Sequence, residues 1–373
     1  MITDVRFEDE ANVIRKVCRD FCRKEIEVSA LELDAHYDLE KLRSILVRSV
    51  ELEILTMLIP EEYGGVGSSV LAAAQVLDEL AYGCAGVATI FAYHLAALVA
   101  LIEGGKEELL KELSTADSPQ PTMLTLAGPD MEEREDAPQL VKAKDGLVLR
   151  GVTPLVASAS LADRMVVFAR EADAGLTQVL VDPRAKGVSV QPDEELLGLH
   201  TVPFADVVFD GCLVGDADLV GERGKAEQAY KKARAALNVF IAAIAMGTSR
   251  LAYSRAYDYA QQRWQFGRML VDHDEIRRML ANMVTKISMG TAGYSQALKV
   301  EDIGTVSSWR SDLAKIFCTD AALEIAVDAI QIFGGHGYMK EQGLEKIMRD
   351  AKMLQVLPES NRYMEVQLFG AKG

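Results

Sequence analysis

The sequence predicts an α+β multidomain protein. It should hold an N-terminal helical domain (1–118), a small central β domain (119–220) and a C-terminal antiparallel four-helix bundle (221–373). Three observations lead there. Apolar residues recur three and four apart through the first third. The middle changes to short β-branched runs split by Gly, Pro and Asp. The last part returns to long Ala-rich amphipathic stretches with short connections, the pattern of an antiparallel bundle. At 373 residues the chain is too long for one ordinary core.

In chain order, FEDEANVIRKVCRDFCRKEI (7–26) carries apolar positions on one face and charges on the other, and LEKLRSILVRSVELEIL (39–55) repeats this. IPEEYGG (59–65) breaks the helical run, its paired glycines marking a turn. SSVLAAAQVLDELAYG (68–83) opens a new helix with serines placed to cap it. GVATIFAYHLAALVALI (86–102) is the long apolar run. It falls short of the roughly 20 residues a bilayer span needs, carries His94 and lacks basic flanks, so a helix buried in a bundle is expected. His94 then reads as a satisfied core histidine.

SPQPT (118–122) opens the change of period. VVFAR (166–170), TQVLVDP (177–183), GVSVQP (187–192) and FADVVFDG (204–211) read as strands. GPDMEEREDAP (128–138) is acidic and patternless, a solvated loop. Residues 226–264 read as one long helix, and 273–298 and 307–333 as two more.

The core should be aliphatic, since the chain is 49% hydrophobic but only 6% aromatic. A net charge of −16 with no basic stripe argues against nucleic acid as a partner, while leaving room for a local basic pocket. The five cysteines are odd in number and scattered, and no signal peptide is seen, so a reduced cytoplasmic setting is expected. Cys18 and Cys22 share a helix face, but no His or Cys cluster supplies further ligands; ordinary packing is the expectation.

LIPEEYGG (58–65), QQRWQFGRML (261–270), QIFGGHGY (331–338) and EKIMRDAKMLQ (345–355) occur in this order and at this spacing. Together they resemble the acyl-CoA dehydrogenase family, and the helix–β–helix order extends the resemblance over nearly the whole chain. It implies an FAD-dependent flavoprotein that desaturates an acyl-CoA thioester at its α,β carbons. A glutamate would take the α-proton while the β-hydride passes to the flavin, and the base's own backbone N–H would help polarise the thioester carbonyl. An electron-transfer flavoprotein is the implied acceptor. The implied assembly is a tetramer with each FAD across a subunit interface.

By this resemblance Arg263 in RWQFG reaches the FAD pyrophosphate, with Gln265 and Phe266 lining that site; a paired planar guanidinium suits phosphate. Gln331 would meet the adenosine half, and Gly334 and Gly335 would let backbone approach the cofactor; a helix C-cap and turn explains the glycines as well. These groups serve the neighbouring subunit's FAD. The elements a subunit turns on its own flavin depart from the family pattern. A TEPxAGSD-like loop is replaced by LTLAGPDMEERED, where Thr125 comes nearest, and its acidic run repels a pyrophosphate. The family's WIT segment corresponds to Leu155, Val156 and Ala157, with Ser158 and Ser160 as substitutes for the lost hydroxyl. Family hydroxyls near the acyl-CoA correspond to Val202 and Phe204.

QVLPESN (355–361) stands where the family reads QIYEGT. Aligned without a gap, Pro358 takes the base position and offers neither carboxylate nor N–H. A one-residue slip instead places Glu359 there; otherwise Glu359 is an acidic residue in a solvated turn. The family's other base position, on an earlier helix, is Ala233 here. Arg234 beside it matches a family active-site arginine, or else forms an interhelix ion pair.

Two readings follow. One is a catalytic acyl-CoA dehydrogenase with an unusual site. The other is a catalytically degenerate subunit that completes a homologous sister chain's FAD site with Arg263, Gln265 and Gln331. Homo-oligomer and hetero-oligomer thus both stay open. A lesser alternative is non-redox chemistry on an acyl-CoA thioester.

Overall fold

The computed structural model describes residues 9–115, 121–128, 134–144, 146–172, 174–298 and 308–370. The N-terminal part is helical: α1 (Asp9–Phe21), α2 (Ala30–Ala35), α3 (Leu39–Val50), α4 (Val70–Gly83), α5 (Ala85–Glu103) and α6 (Glu107–Thr115). Ser69 caps α4, its side chain accepting from the Ala72 N–H at 3.1 Å. Helix α3 stops at Val50 rather than running to residue 55, and turns carry the chain on to IPEEYGG. There Gly64 takes φ 87°, and a Cβ on Gly65 would stand 2.2 Å from the Ile59 carbonyl oxygen. Only glycine permits that approach.

Two helices are long and apolar enough to cross a membrane, α5 and the later α7, but 94% of each apolar window is buried inside the protein. Inside α5, His94 is satisfied on both ring nitrogens. Nε2–H donates to the Leu55 carbonyl at 2.8 Å, and Nδ1 accepts the Leu124 N–H at 3.1 Å. The ring therefore ties the N-terminal domain to the first strand.

The middle contains β1 (Leu124–Ala127), β2 (Gln139–Ala143), β3 (Gly146–Ala157), β4 (Arg164–Glu171), β5 (Gly175–Val181), β6 (Val188–Val190), β7 (Phe204–Val214) and β8 (Leu219–Val220). They form an eight-stranded sheet in the order β6-β7-β3-β2-β4-β5-β8, with β1 parallel on β4. The runs read as strands at 166–170, 177–183, 187–192 and 204–211 fall on β4 to β7. The longest strand, β3, is not one of those runs. Gly151 and Pro154 interrupt its pattern, and the structure absorbs them in register shifts against β7 between Leu149 and Arg150 and between Thr153 and Val156. The acidic loop expected at 128–138 falls partly outside the described residues, at 129–133.

The C-terminal part comprises α7 (Glu227–Gln262), the hairpin β9 (Trp264–Gln265) with β10 (Arg268–Met269), then α8 (Asp274–Leu298), α9 (Ser308–Phe333), α10 (Leu344–Leu354) and α11 (Asn361–Gly370). Helix α7 packs on α8 and α9, α8 on α9, and α10 on α9. It also packs on α4 and α5, so the two helical domains share one core. Cys18 and Cys22 are buried in that core, and burial pushes both thiols up to about 12.

A candidate active site beneath the Glu359 turn

Helices α7 and α9 lie side by side, and the segment between α10 and α11 crosses them. One turn of α7 presents Arg234 and Asn238, four residues apart and therefore on one face. Helix α9 presents Asp312, Lys315 and Thr319, spaced three and four. The crossing segment, residues 355–361, brings Glu359 down onto both helices.

Glu359 is not a solvated turn residue: its side chain is 8% exposed. Arg234 grips it with two bonds, Nε to Oε1 at 3.2 Å and Nη2 to Oε2 at 2.7 Å. The remaining Arg234 nitrogen, Nη1, lies 3.5 Å from Asp312 Oδ1. Asn238 Nδ2 donates to the same Asp312 oxygen at 2.7 Å, while the Asn238 Oδ1 is buried without a hydrogen-bond partner. Burial works to lower the Arg234 pKa, but the bonds and charges of Glu359 and Asp312 outweigh it and hold the guanidinium above its usual range. Burial raises the Asp312 carboxyl, against the Arg234 charge that lowers it.

Lys315 is fully buried, and its Nζ donates to the Gln355 carbonyl at 3.0 Å, the Glu359 carbonyl at 2.7 Å and Asn361 Oδ1 at 2.6 Å. Burial pulls its ammonium down to about 7, although Glu359, Asp320 and Asp312 hold it up.

Above this layer is a cavity of about 330 Å³. Glu359, Pro358 and Ser360 form one wall. Leu155 and Val156 of β3, Leu126 of β1 and Tyr93 of α5 form the apolar remainder, with Arg134 at the edge. The Glu359 N–H donates to no backbone carbonyl among the described residues. The cavity thus has a largely apolar lining that includes Glu359, whose carboxylate is held by a guanidinium. A carboxylate held in this way can accept a proton, and the neighbouring Glu359 N–H can donate a hydrogen bond.

The residues expected to serve a flavin separate into two groups. Thr125 is buried, and its hydroxyl donates to the Ala157 carbonyl at 2.6 Å, so that proton is turned inward. Ser158 follows β3 at φ 60°, with its Oγ buried and unpartnered. Neither lines the Glu359 cavity. Arg263, Gln265 and Phe266 sit on the β9–β10 hairpin, where Phe266 is 92% exposed at φ 50°. The Arg263 guanidinium pairs with no carboxylate among the described residues. Gln331 is exposed on the last turn of α9, followed by exposed Gly334 and Gly335. A Cβ on either glycine would meet nothing within 4 Å in this chain. No member of this group lines the Glu359 cavity either.

The chemistry of these groups suits FAD. The apolar slot matches a flat aromatic ring, the orphaned Ser158 hydroxyl is a buried donor awaiting an acceptor, and the unpaired Arg263 suits a diphosphate.

Sequence reading did not single out Asp312, Lys315, Asn361 or Tyr93. The signal for two of them was present: a charged pair in SDLAKIF interrupts a helix whose neighbouring positions are apolar. Arg234 makes the interhelix ion pair, meeting Asp312 on the neighbouring helix, and it also meets Glu359.

Comparison with known proteins gives these features a family. The acyl-CoA dehydrogenase N-terminal domain model matches residues 8–115, the middle domain model 127–212 and the C-terminal domain model 230–358. A 3-(aryl)acrylate reductase of Clostridium sporogenes is 29% identical over 359 residues, covering 94% of this chain and 95% of the relative. An acyl-CoA dehydrogenase of Bacillus subtilis is 29% identical over 366 residues, with 94% and 95% covered. The butyryl-CoA dehydrogenase structure from Megasphaera elsdenii superimposes with a TM-score of 0.87 at 26% identity, covering 99% of each chain. A chain from the structure of the electron transferring flavoprotein of Acidaminococcus fermentans shares the fold with a TM-score of 0.88 at 24% identity and full coverage of both. The matched models span nearly the whole polypeptide in family order, and the chain belongs to the acyl-CoA dehydrogenase family of oxidoreductases.

Proposed function

We propose that this chain is an FAD-dependent acyl-CoA dehydrogenase that uses Glu359 as its base. The observation carrying this is the Glu359 carboxylate, nearly buried at the wall of an apolar cavity and gripped by Arg234. A carboxylate oxygen has two lone pairs. Arg234 engages each oxygen once, which leaves capacity to accept the α-proton of a bound thioester. Bidentate pairing also fixes the carboxylate plane, which positional catalysis requires. The free Glu359 N–H is the donor for the thioester carbonyl, strengthening as negative charge develops there. Tyr93, Leu126, Leu155 and Val156 exclude water from the reacting carbons. FAD, when bound, supplies the acceptor for the β-hydride. Ser158 of the same chain and Arg263, Gln265, Phe266, Gln331, Gly334 and Gly335 of a neighbouring copy would hold it. An electron-transfer flavoprotein is the acceptor in this reading. The setting is cytoplasmic, supported by the bacterial relatives and by the burial of both apolar helices.

Glu359→Gln keeps the shape and removes the base. Turnover with an artificial electron acceptor is expected to drop by about 10²–10⁴-fold. Full activity would remove Glu359 from this role. Assaying both desaturation and its reverse establishes the direction.

A second reading is the degenerate subunit. It is favoured by the inward-turned Thr125 hydroxyl and by the absence of side-chain donors at Leu155, Val156 and Ala157. Flavin content decides between them. One FAD per chain in a homo-oligomer supports the dehydrogenase, whereas half occupancy beside a homologous chain supports the sister-subunit reading.

A further inference from the structure

The segment that carries Glu359 has no regular secondary structure, so something other than a helix or strand must hold its carboxylate in place. Part of the answer is local. The Asn361 N–H donates to the Gln355 carbonyl at 2.9 Å and closes a loop around Glu359. The rest comes from α9. The carbonyls of Gln355 and Glu359 and the side-chain oxygen of Asn361 all converge on Lys315 Nζ. Three acceptors meet the three N–H donors of the ammonium form, so the protonated amine is saturated. One turn further along α9, Thr319 Oγ1 accepts from Asn361 Nδ2 at 2.9 Å. Asp320 Oδ1 accepts from Asn361 Nδ2 at 2.7 Å and from Gln355 Nε2 at 2.6 Å. Both ends of the loop are therefore pinned by the same helix.

We propose that Lys315 is the positioning residue for the catalytic carboxylate: it binds the carbonyl of Glu359 itself from below and so fixes where that side chain stands in the cavity. The inference rests on Glu359 being the base. Lys315 is fully buried and does not line the cavity, so it acts only through the loop. Charge-assisted bonds to carbonyls are roughly twice as strong as neutral ones. A side chain of equal length without the charge takes from the Glu359 carbonyl its Lys315 donor, while the Gln355 carbonyl keeps only the Asn361 N–H and Asn361 Oδ1 only the 3.3 Å contact with Thr319 Oγ1. The loop then has reason to move, and the carboxylate moves with it. Arg234 holds the carboxylate and Lys315 holds the backbone; neither alone fixes both ends of the residue.

The test is Lys315→Met in the purified full chain with its flavin. An ångström of misplacement costs on the order of 10²-fold, so kcat should fall about ten- to hundredfold while KM for the acyl-CoA stays within about twofold. Amide hydrogen exchange across residues 355–361 should quicken by about tenfold or more, with exchange in the middle of α7 unchanged. This second readout does not depend on activity. Unchanged kcat in the folded variant, or unchanged exchange in that segment, overturns the proposal. Should Lys315→Met not fold, Asn361→Ala removes one acceptor instead. The same kcat-selective loss is expected, and an unaltered kcat overturns the proposal. Glu359→Gln is measured beside them. If that variant keeps full turnover, the base assignment fails, while the exchange data still report whether Lys315 holds the loop.

Discussion

His94 shows how one side chain acquires a fixed protonation state. Both ring nitrogens have partners, and they demand the neutral form: Nδ1 must accept from Leu124 N–H. Burial lowers its pKa to about 4, against the Leu55 carbonyl, which raises it. An unfolded histidine titrates near 6.5. Between those values the unfolded chain binds more protons, so stability falls as pH drops from about 6.5 towards 4. The loss should reach about 3 kcal/mol at most. Urea melts of wild type and His94→Gln at stepped pH values test this. The substitution should flatten that acid limb, and parallel profiles would assign the acid sensitivity elsewhere. Glu359 and Arg234 show the complementary case, a pair of charges kept where water is scarce. Both residues were legible in the sequence as candidates because family motifs flank them. Their bidentate contact was not, since they lie far apart in the chain and meet only when α7, α9 and the 355–361 segment are packed.

Helices α4 and α7 cross so closely that the sequence must supply a residue without a side chain. A Cβ on Gly247 would stand 2.1 Å from the Asp78 carbonyl oxygen and 2.9 Å from the Ala81 Cβ. Gly247→Ala should therefore force the helices apart and cost about 1–3 kcal/mol, as overpacking does. A melting temperature equal to wild type would show that the crossing yields. The β9–β10 hairpin is the opposite kind of element. It buries little and projects Phe266 and Trp264 to 92% and 58% exposure. Arg263→Ala should leave folding untouched. In the dehydrogenase reading it weakens flavin retention by about ten- to hundredfold, the worth of a lost charge-assisted contact. Flavin content after gel filtration reports it, and undiminished occupancy would detach Arg263 from the cofactor. Strand β3 escaped pattern reading because Gly151 and Pro154 break its alternation. Neighbouring β7 rescues it by shifting register, which is a property of the pair and not of either strand.

At the scale of the molecule, the two helical domains are joined through a buried ionic network. Arg250 of α7 donates from Nε and Nη2 to Asp78 Oδ1 of α4 at 2.9 and 2.6 Å. Tyr294 of α8 donates to the other Asp78 oxygen at 2.8 Å. Arg15 and Arg19 of α1 converge on Glu79, and although burial raises that carboxyl, the charges of Arg250, Arg15 and Arg19 hold it down at about 2. Arg250→Met leaves two buried carboxylates short of their common partner, a change worth about 3–5 kcal/mol. Because α1, α4, α7 and α8 all meet there, both helical domains should lose stability together in one transition. Two separated transitions in calorimetry would show that the domains fold independently.

By itself, the sequence determined the order of helical, β and helical regions, the burial of the apolar run at 86–102 and the family. These depend on periodicity and on short contiguous motifs, which are local properties. Only the tertiary structure decided that Glu359 is buried, that Arg234 faces it, that the Thr125 hydroxyl is turned inward and that Lys315 lies beneath the 355–361 segment. Each of those is a contact between segments distant in the chain. Taking those charges and hydroxyls out of water costs free energy, and only partners supplied by distant segments offset it, which no stretch of sequence can do alone.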